Sequence, residues 1–159
     1  MKNKNLSFMT QAAMIAAIYV VLTYIFAPFS FGEVQVRISE ALTILPIFTP
    51  AAIPGLFVGC LIGNILGGAI LPDIVFGSIA TLIGAFFTWK LREQKPVTAT
   101  LPPIISNIVI VPFVLRYGYG VTLPIPFMML TVGIGEVVSC TVLGLIVYGA
   151  LKKYQHTLF

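Results

Sequence analysis

The stretch Phe127-Met-Met-Leu-Thr-Val-Gly-Ile-Gly-Glu-Val-Val-Ser-Cys-Thr-Val-Leu-Gly-Leu-Ile-Val-Tyr-Gly-Ala-Leu151 decides the fold class. It is long, nearly all apolar, and holds one charge, Glu136. A bilayer-spanning helix needs about 20 mostly apolar residues. A surface helix of a soluble protein would show a polar face over such a length. This stretch shows none, and it ends in Lys152 and Lys153.

The whole chain repeats that pattern. It has 159 residues, 58% hydrophobic and 9% charged, with a mean hydropathy of +1.05. A soluble domain carries roughly 25% charged residues. Nothing would remain here to face water, so lipid is the expected solvent. Short-looped spans use up the length, and one transmembrane substrate-binding domain over residues 1–159 is expected, with no separate soluble domain. Cys60 and Cys140 lie deep in apolar runs and read as small packing residues rather than as a disulfide framework.

Six spans are expected. The first covers Phe8 to Phe26, too long for a cleaved signal segment and followed by no small-residue cleavage site. Pro28 and Gly32 end it. A short second helix runs from about Arg37 to Phe48, where Pro46, Pro50 and Pro54 force a bend. The third runs from Ile53 to Leu71, the fourth from Ile74 to Trp89, the fifth from Thr100 to Tyr117, and the sixth from Phe127 to Leu151. With both termini in the cytoplasm, seven of the nine basic residues fall inside. Arg37 and Arg116 fall outside. Five spans would strand the C-terminal lysine pair outside and weaken the positive-inside bias. The net charge of +4 is therefore topological, and nucleic acid is not an expected partner.

Ionisable groups at membrane depth need a partner or a task. Glu136 shares a face with Gly133 and Cys140 and has no basic neighbour three or four residues away. It is read as a ligand-facing or ion-facing carboxylate, the structural alternative being a hydrogen-bonded packing residue. Arg37 and Glu40, three apart, share one face as an ion pair or as pocket lining. Asp73 is expected to cap the fourth helix, with pocket lining as the alternative. Asn107 and Asn64 either join helices or read a polar ligand; helix joining is favoured for Asn64. Gly55, Gly59, Gly63 and Gly67 form a close-packing seam expected to face another helix of the chain. Ala12 with Ala16, and Ala13 with Ala17, form a second small-residue stripe.

Several chemistries are excluded. No G-x-x-x-x-G-K-[ST] loop exists for ATP. His156 is the only histidine, so histidine-based metal or triad sites are not expected. Neither a metal nor a cofactor is expected. Thr131-Val-Gly-Ile-Gly135 departs from a potassium-filter sequence.

Together, the alanine pairs of the first helix, the run Val36-Arg-Ile-Ser-Glu-Ala-Leu-Thr-Ile-Leu-Pro46 and the run Gly59-Cys-Leu-Ile-Gly-Asn64 resemble the QueT family. That family belongs to the substrate-binding S components of energy-coupling-factor (ECF) transporters, a class of ABC importer. The resemblance covers essentially the whole chain. It implies a bacterial, multi-pass cell-membrane protein without enzymatic activity. It implies docking of the first-helix face Ala12, Ala13, Ala16 and Ala17 onto the transmembrane coupling protein EcfT. ATP hydrolysis would fall to two EcfA-type ATPases. It implies a vitamin-like ligand taken from outside, here a queuosine precursor: a 7-deazaguanine such as 7-aminomethyl-7-deazaguanine (preQ1), or queuine. A guanine-like edge suits a bidentate carboxylate and an aminomethyl cation suits a second. Glu40 and Glu136 would divide those roles with Asn107 on the carbonyl edge. Phe29, Phe31, Tyr117 or Tyr119 would stack on the base. The competing reading is an autonomous oligomeric secondary transporter or channel with Glu136 as its ion or proton site; a purely structural subunit is a third.

Overall fold

The computed structural model describes residues 4–30 and 36–158, and among them every regular element is helical. We number the main helices α1 (Lys4–Ile25), α2 (Ile38–Ile47), α3 (Ala52–Leu66), α4 (Leu71–Lys90), α5 (Pro96–Gly118) and α6 (Ile125–Lys152). Short helical turns at Ala27–Ser30 and Gln155–Leu158 follow α1 and α6. Four helices, α1, α4, α5 and α6, are long and apolar enough to cross a membrane. Helices α2 and α3 are apolar but shorter.

Sequence and structure part at several ends. Helix α3 stops at Leu66, five residues short of the expected Leu71. The cause is Gly67-Gly68: Gly68 has φ +75°, and the Ala69 amide bonds back to the Asn64 carbonyl at 2.9 Å. Pro72 and Asp73 are then not in the connection between the two helices. They lie in the first turn of α4, where proline has no intrahelical donor to lose. The cap of α4 is Ile70, without a side-chain cap bond, so Asp73 is no N-cap. Its carboxylate still sits where the helix dipole favours negative charge.

Helix α2 is wound as a 3₁₀ helix over ten residues. Such winding rarely exceeds three or four residues, because its hydrogen bonds are poorer. Here tertiary packing holds it. Residues 39–46 are all buried, and α1, α3, α4, α5 and α6 all pack against the helix. At a rise of about 2.0 Å per residue it extends roughly 20 Å.

Around α2 the other helices pack in chain order: α1 on α3, α3 on α4, α4 on α5, α5 on α6. Lipid tails give no hydrophobic drive between helices, so close contact and hydrogen bonds hold such a bundle. The glycine seam supplies the contact. A Cβ on Gly55 would meet the Ala12 carbonyl at 2.7 Å, and one on Gly59 the Tyr19 Cβ at 2.8 Å. The seam thus faces α1, inside the chain. Gly84 lies equally close to Pro103 across α4 and α5. Ser106 donates to the Ala80 carbonyl and Thr88 to that of Ala99, each at 2.9 Å.

Basic residues at helix ends sit on aromatic rings, as interface anchors do. Arg92 lies 4.7 Å from the Trp89 ring and Lys152 5.6 Å from that of Tyr148. Large apolar side chains such as Met9, Leu71, Leu130 and Ile146 are exposed on the outer faces, as expected where lipid is the solvent.

Candidate functional site

The 3₁₀ winding of α2 stacks residues three apart, which puts Glu40 and Thr43 on one face. Thr43 Oγ1 donates to the Glu40 carbonyl at 2.6 Å and lies 3.5 Å from Cys140 Sγ of α6. Glu136 ends the first α-helical part of α6, directly before a π-wound segment at Val137–Leu143, after which α-helix resumes at Gly144. Cys140 Sγ donates to Glu136 Oε2 at 3.2 Å. A carboxylate oxygen of Glu40, one of Glu136 and Cys140 Sγ all lie within 4.8 Å of one another, and all three residues are buried. The Tyr19 hydroxyl of α1 donates to Glu40 Oε1. Asn107 of α5 lies beside the Glu136 carboxylate. Two carboxylates, a thiol, a phenol and an amide thus converge from four helices.

A second polar group adjoins on α3 and α4. Arg37 stands 3.6 Å from Asp73 Oδ2. Asn64 Nδ2 donates to the Asp73 carbonyl at 3.3 Å, joining α3 to α4. Gly77 leaves room for these groups: a Cβ there would lie 3.1 Å from Asp73 Oδ1 and 3.2 Å from Asn64 Nδ2. Tyr119, in the loop before α6, donates to Asp73 Oδ2 at 2.9 Å. Burial, and then the neighbouring Asp73 carboxylate, push the Tyr119 phenol above its ordinary value.

Buried polar atoms are normally hydrogen-bonded. Glu40 Oε2, Asn64 Oδ1 and Asp73 Oδ1 are buried without a hydrogen-bond partner. Three acceptors in one region have capacity for donors from a ligand.

Glu136, Glu40, Asn107, Arg37, Asn64 and Asp73 are therefore all buried in one polar region. Tyr117 is not among them. It is 78% exposed, stacks on Phe113, and lines a lateral apolar groove of about 490 Å³ with Pro72 and Phe76. The π-wound turn at Val114–Gly118 presents Tyr117 outward, and of these two tyrosines it is Tyr119 that reaches the site. Phe31 lies outside the described residues.

Tyr19, Thr43, Thr81 and the two cysteines are missing from the sequence reading as site residues. Tyr19 and Thr23 carry a usable signal, polar groups four apart in the otherwise apolar stretch Ala12–Thr23 of α1. Thr23 donates to Ser39 at 2.8 Å, tying α1 to the start of α2. Cys60, expected only to pack, lies 3.4 Å from Thr81 Oγ1. The alanine stripe divides. Ala16 is buried and Ala12 half-buried against α3, whereas Ala13 and Ala17 are exposed.

Comparison with known proteins adds two findings. The family described as QueT transporter matches residues 9–153. Over 84 residues, 52% of this chain, the sequence is 33% identical to a Lactococcus lactis protein named queuosine precursor transporter QueT. The matched stretch spans about half of that relative, 48% of its length. No solved structure matches.

Proposed function

The chain belongs to the QueT transporter family, and from that premise we propose that it is the membrane-embedded substrate-binding component of an ECF-type importer for a queuosine precursor. The observation that carries the proposal is the convergence of Glu40, Glu136 and Asn107, from three helices, in one buried polar cluster. A 7-deazaguanine offers adjacent N–H donors, a carbonyl edge and, in preQ1, an ammonium. Two carboxylates and an amide complement that set. The name of the Lactococcus lactis relative supports the same substrate class.

In this reading the protein has six spans with both termini cytoplasmic. The basic residues at Lys4, Lys90, Arg92, Lys95, Lys152 and Lys153 support that orientation. The short α2 and α3 cross within the bundle, where other helices shield their ends from lipid. EcfT and two EcfA-type ATPases supply docking and energy. Ala13 and Ala17 form the exposed small-residue face for EcfT.

Binding of preQ1, queuine and guanine to the purified protein, measured by calorimetry, tests the substrate. Micromolar or tighter binding of a deazaguanine with weaker binding of guanine is expected. Failure to bind any deazaguanine overturns the substrate assignment. Copurification with EcfT and the ATPases tests the assembly. Proton-driven uptake in liposomes holding this chain alone would instead make it an autonomous transporter.

A further inference from the structure

The buried charges do not balance. Among the described residues they are Arg37, Glu40, Asp73 and Glu136, one guanidinium against three carboxylates. Arg37 lies 3.6 Å from Asp73 and offsets one of them. Glu40 and Glu136 remain, close together on α2 and α6. A separate observation concerns Glu40 alone. Its Oε1 is taken by Tyr19, while its Oε2 is buried without a hydrogen-bond partner. Two like charges at this distance repel, and an uncompensated charge at membrane depth is costly. Protons relieve both problems, and so does a cation.

We propose that the Glu40–Glu136 pair is a cation-for-proton exchange site, neutralised by protons in the ligand-free protein and giving up one of them when a ligand ammonium binds. One carboxyl O–H bond breaks and its proton passes to water. The carboxylate left behind accepts an N–H of the incoming ammonium. The charge of the buried region is the same before and after, so no net charge enters the membrane interior. Neutral ligands lack this exchange, and anionic ones would bring a net negative charge into the buried region.

The groups facing the pair fit this balance. Tyr19 from α1, Cys60 from α3 and Cys140 from α6 are hydrogen-bonding groups that bring no positive charge. Asn107 from α5 is uncharged. Arg37, before α2, is the one cation facing the region; it stands 3.6 Å from Asp73 of α4 and also acts on Glu40 and Glu136, one positive charge for three carboxylates.

The inference rests on the proposed substrate only in taking the ligand to be an amine. Its test has an arm that needs no ligand. Infrared spectra of the ligand-free protein in nanodiscs at neutral pH should show the carbonyl stretch of protonated carboxyl groups. The band should weaken in Glu40→Gln and in Glu136→Gln, and vanish in the double variant, with thermal melting as the control for folding. Absence of a band assignable to either residue overturns the proposal, whatever the ligand. With preQ1, calorimetry in buffers of different ionisation enthalpy should find about one proton released per ligand. The dissociation constant should fall about tenfold per pH unit for as long as the ligand-free pair keeps the proton it gives up and the amine, with pKa near 10, stays charged. Tight preQ1 binding with no proton release also overturns the exchange, while leaving the substrate assignment intact. The band without any deazaguanine binding supports proton occupancy and removes the substrate assignment instead.

Discussion

Glu136 accepts from Cys140 one turn ahead and lies close to Glu40 across the helix interface. Replacing it with glutamine keeps the shape and removes the charge. A hydrogen bond to a charged group contributes about 1.5–3 kcal/mol. We expect Glu136→Gln to weaken preQ1 binding roughly ten- to more than a hundredfold, with an unchanged melting profile. Unchanged affinity in the folded variant would leave Glu40 as the ligand carboxylate. Tyr119 allows a different test. Its raised pKa means that the folded state holds the phenolic proton more tightly than the unfolded chain. The stabilisation is present below the ordinary phenol value near 10 and is lost as pH climbs through the higher folded value. In alkaline titration, the phenolate signal missing from Tyr119→Phe should therefore appear later than that of exposed tyrosines. A Tyr119 signal with an ordinary midpoint would mean that the contact with Asp73 does not persist in solution.

At the scale of elements, the α1–α3 seam is the clearest structural device. The Cβ of Gly59→Ala would meet the Cβ of Tyr19 and the backbone of Ala16, neither of which is a flexible side-chain end. Overpacking of this kind costs about 1–3 kcal/mol, and it would also disturb the tyrosine that holds Glu40. Gly149 on α6 is the contrast, since a Cβ there meets nothing within 4 Å. Gly149→Ala should be neutral or stabilising by up to about 1 kcal/mol, because glycine in a helix interior carries an entropic cost. Thermal melting in one detergent should rank Gly149→Ala at or above the parent and Gly59→Ala below it. The reverse order would mean that α1 and α3 are not packed through this seam.

At the scale of the molecule, the divided alanine stripe separates folding from assembly. Ala16→Leu should lower stability, because Ala16 is buried against α3. Ala13→Leu and Ala17→Leu should leave melting and ligand binding intact and reduce the yield of complex with EcfT. Full assembly in both exposed variants would move the docking surface off α1. Orientation is open to labelling, since Cys60 and Cys140 are buried and cysteines introduced on the surface report alone. Thr122→Cys should react from outside intact cells, and Gln94→Cys and Gln155→Cys only after permeabilisation. Outside labelling at Gln155→Cys would break the six-span topology.

The sequence by itself determined the solvent, the helical class, the long helices α1, α4, α5 and α6, and the glycine seam. These depend on local quantities: apolar run length against bilayer thickness, and residue spacing against the helical repeat. The polar residues Glu40, Glu136, Arg37, Asp73, Asn64 and Asn107 also stood out, because each is costly in an apolar run. Only the tertiary structure decided how they meet. Asp73 is read from sequence as a cap; it faces Arg37 because Gly67-Gly68 ends α3 early and starts α4 at Leu71. Tyr117 and Tyr119 look equivalent in sequence, yet Tyr117 on the π-wound turn points outward and Tyr119 reaches Asp73. The 3₁₀ winding of α2 runs against local preference and persists because the other five helices all pack against it. Which face of each helix turns inward, and therefore which carboxylates become neighbours, depends on contacts between residues up to about a hundred positions apart, such as Thr43 with Cys140.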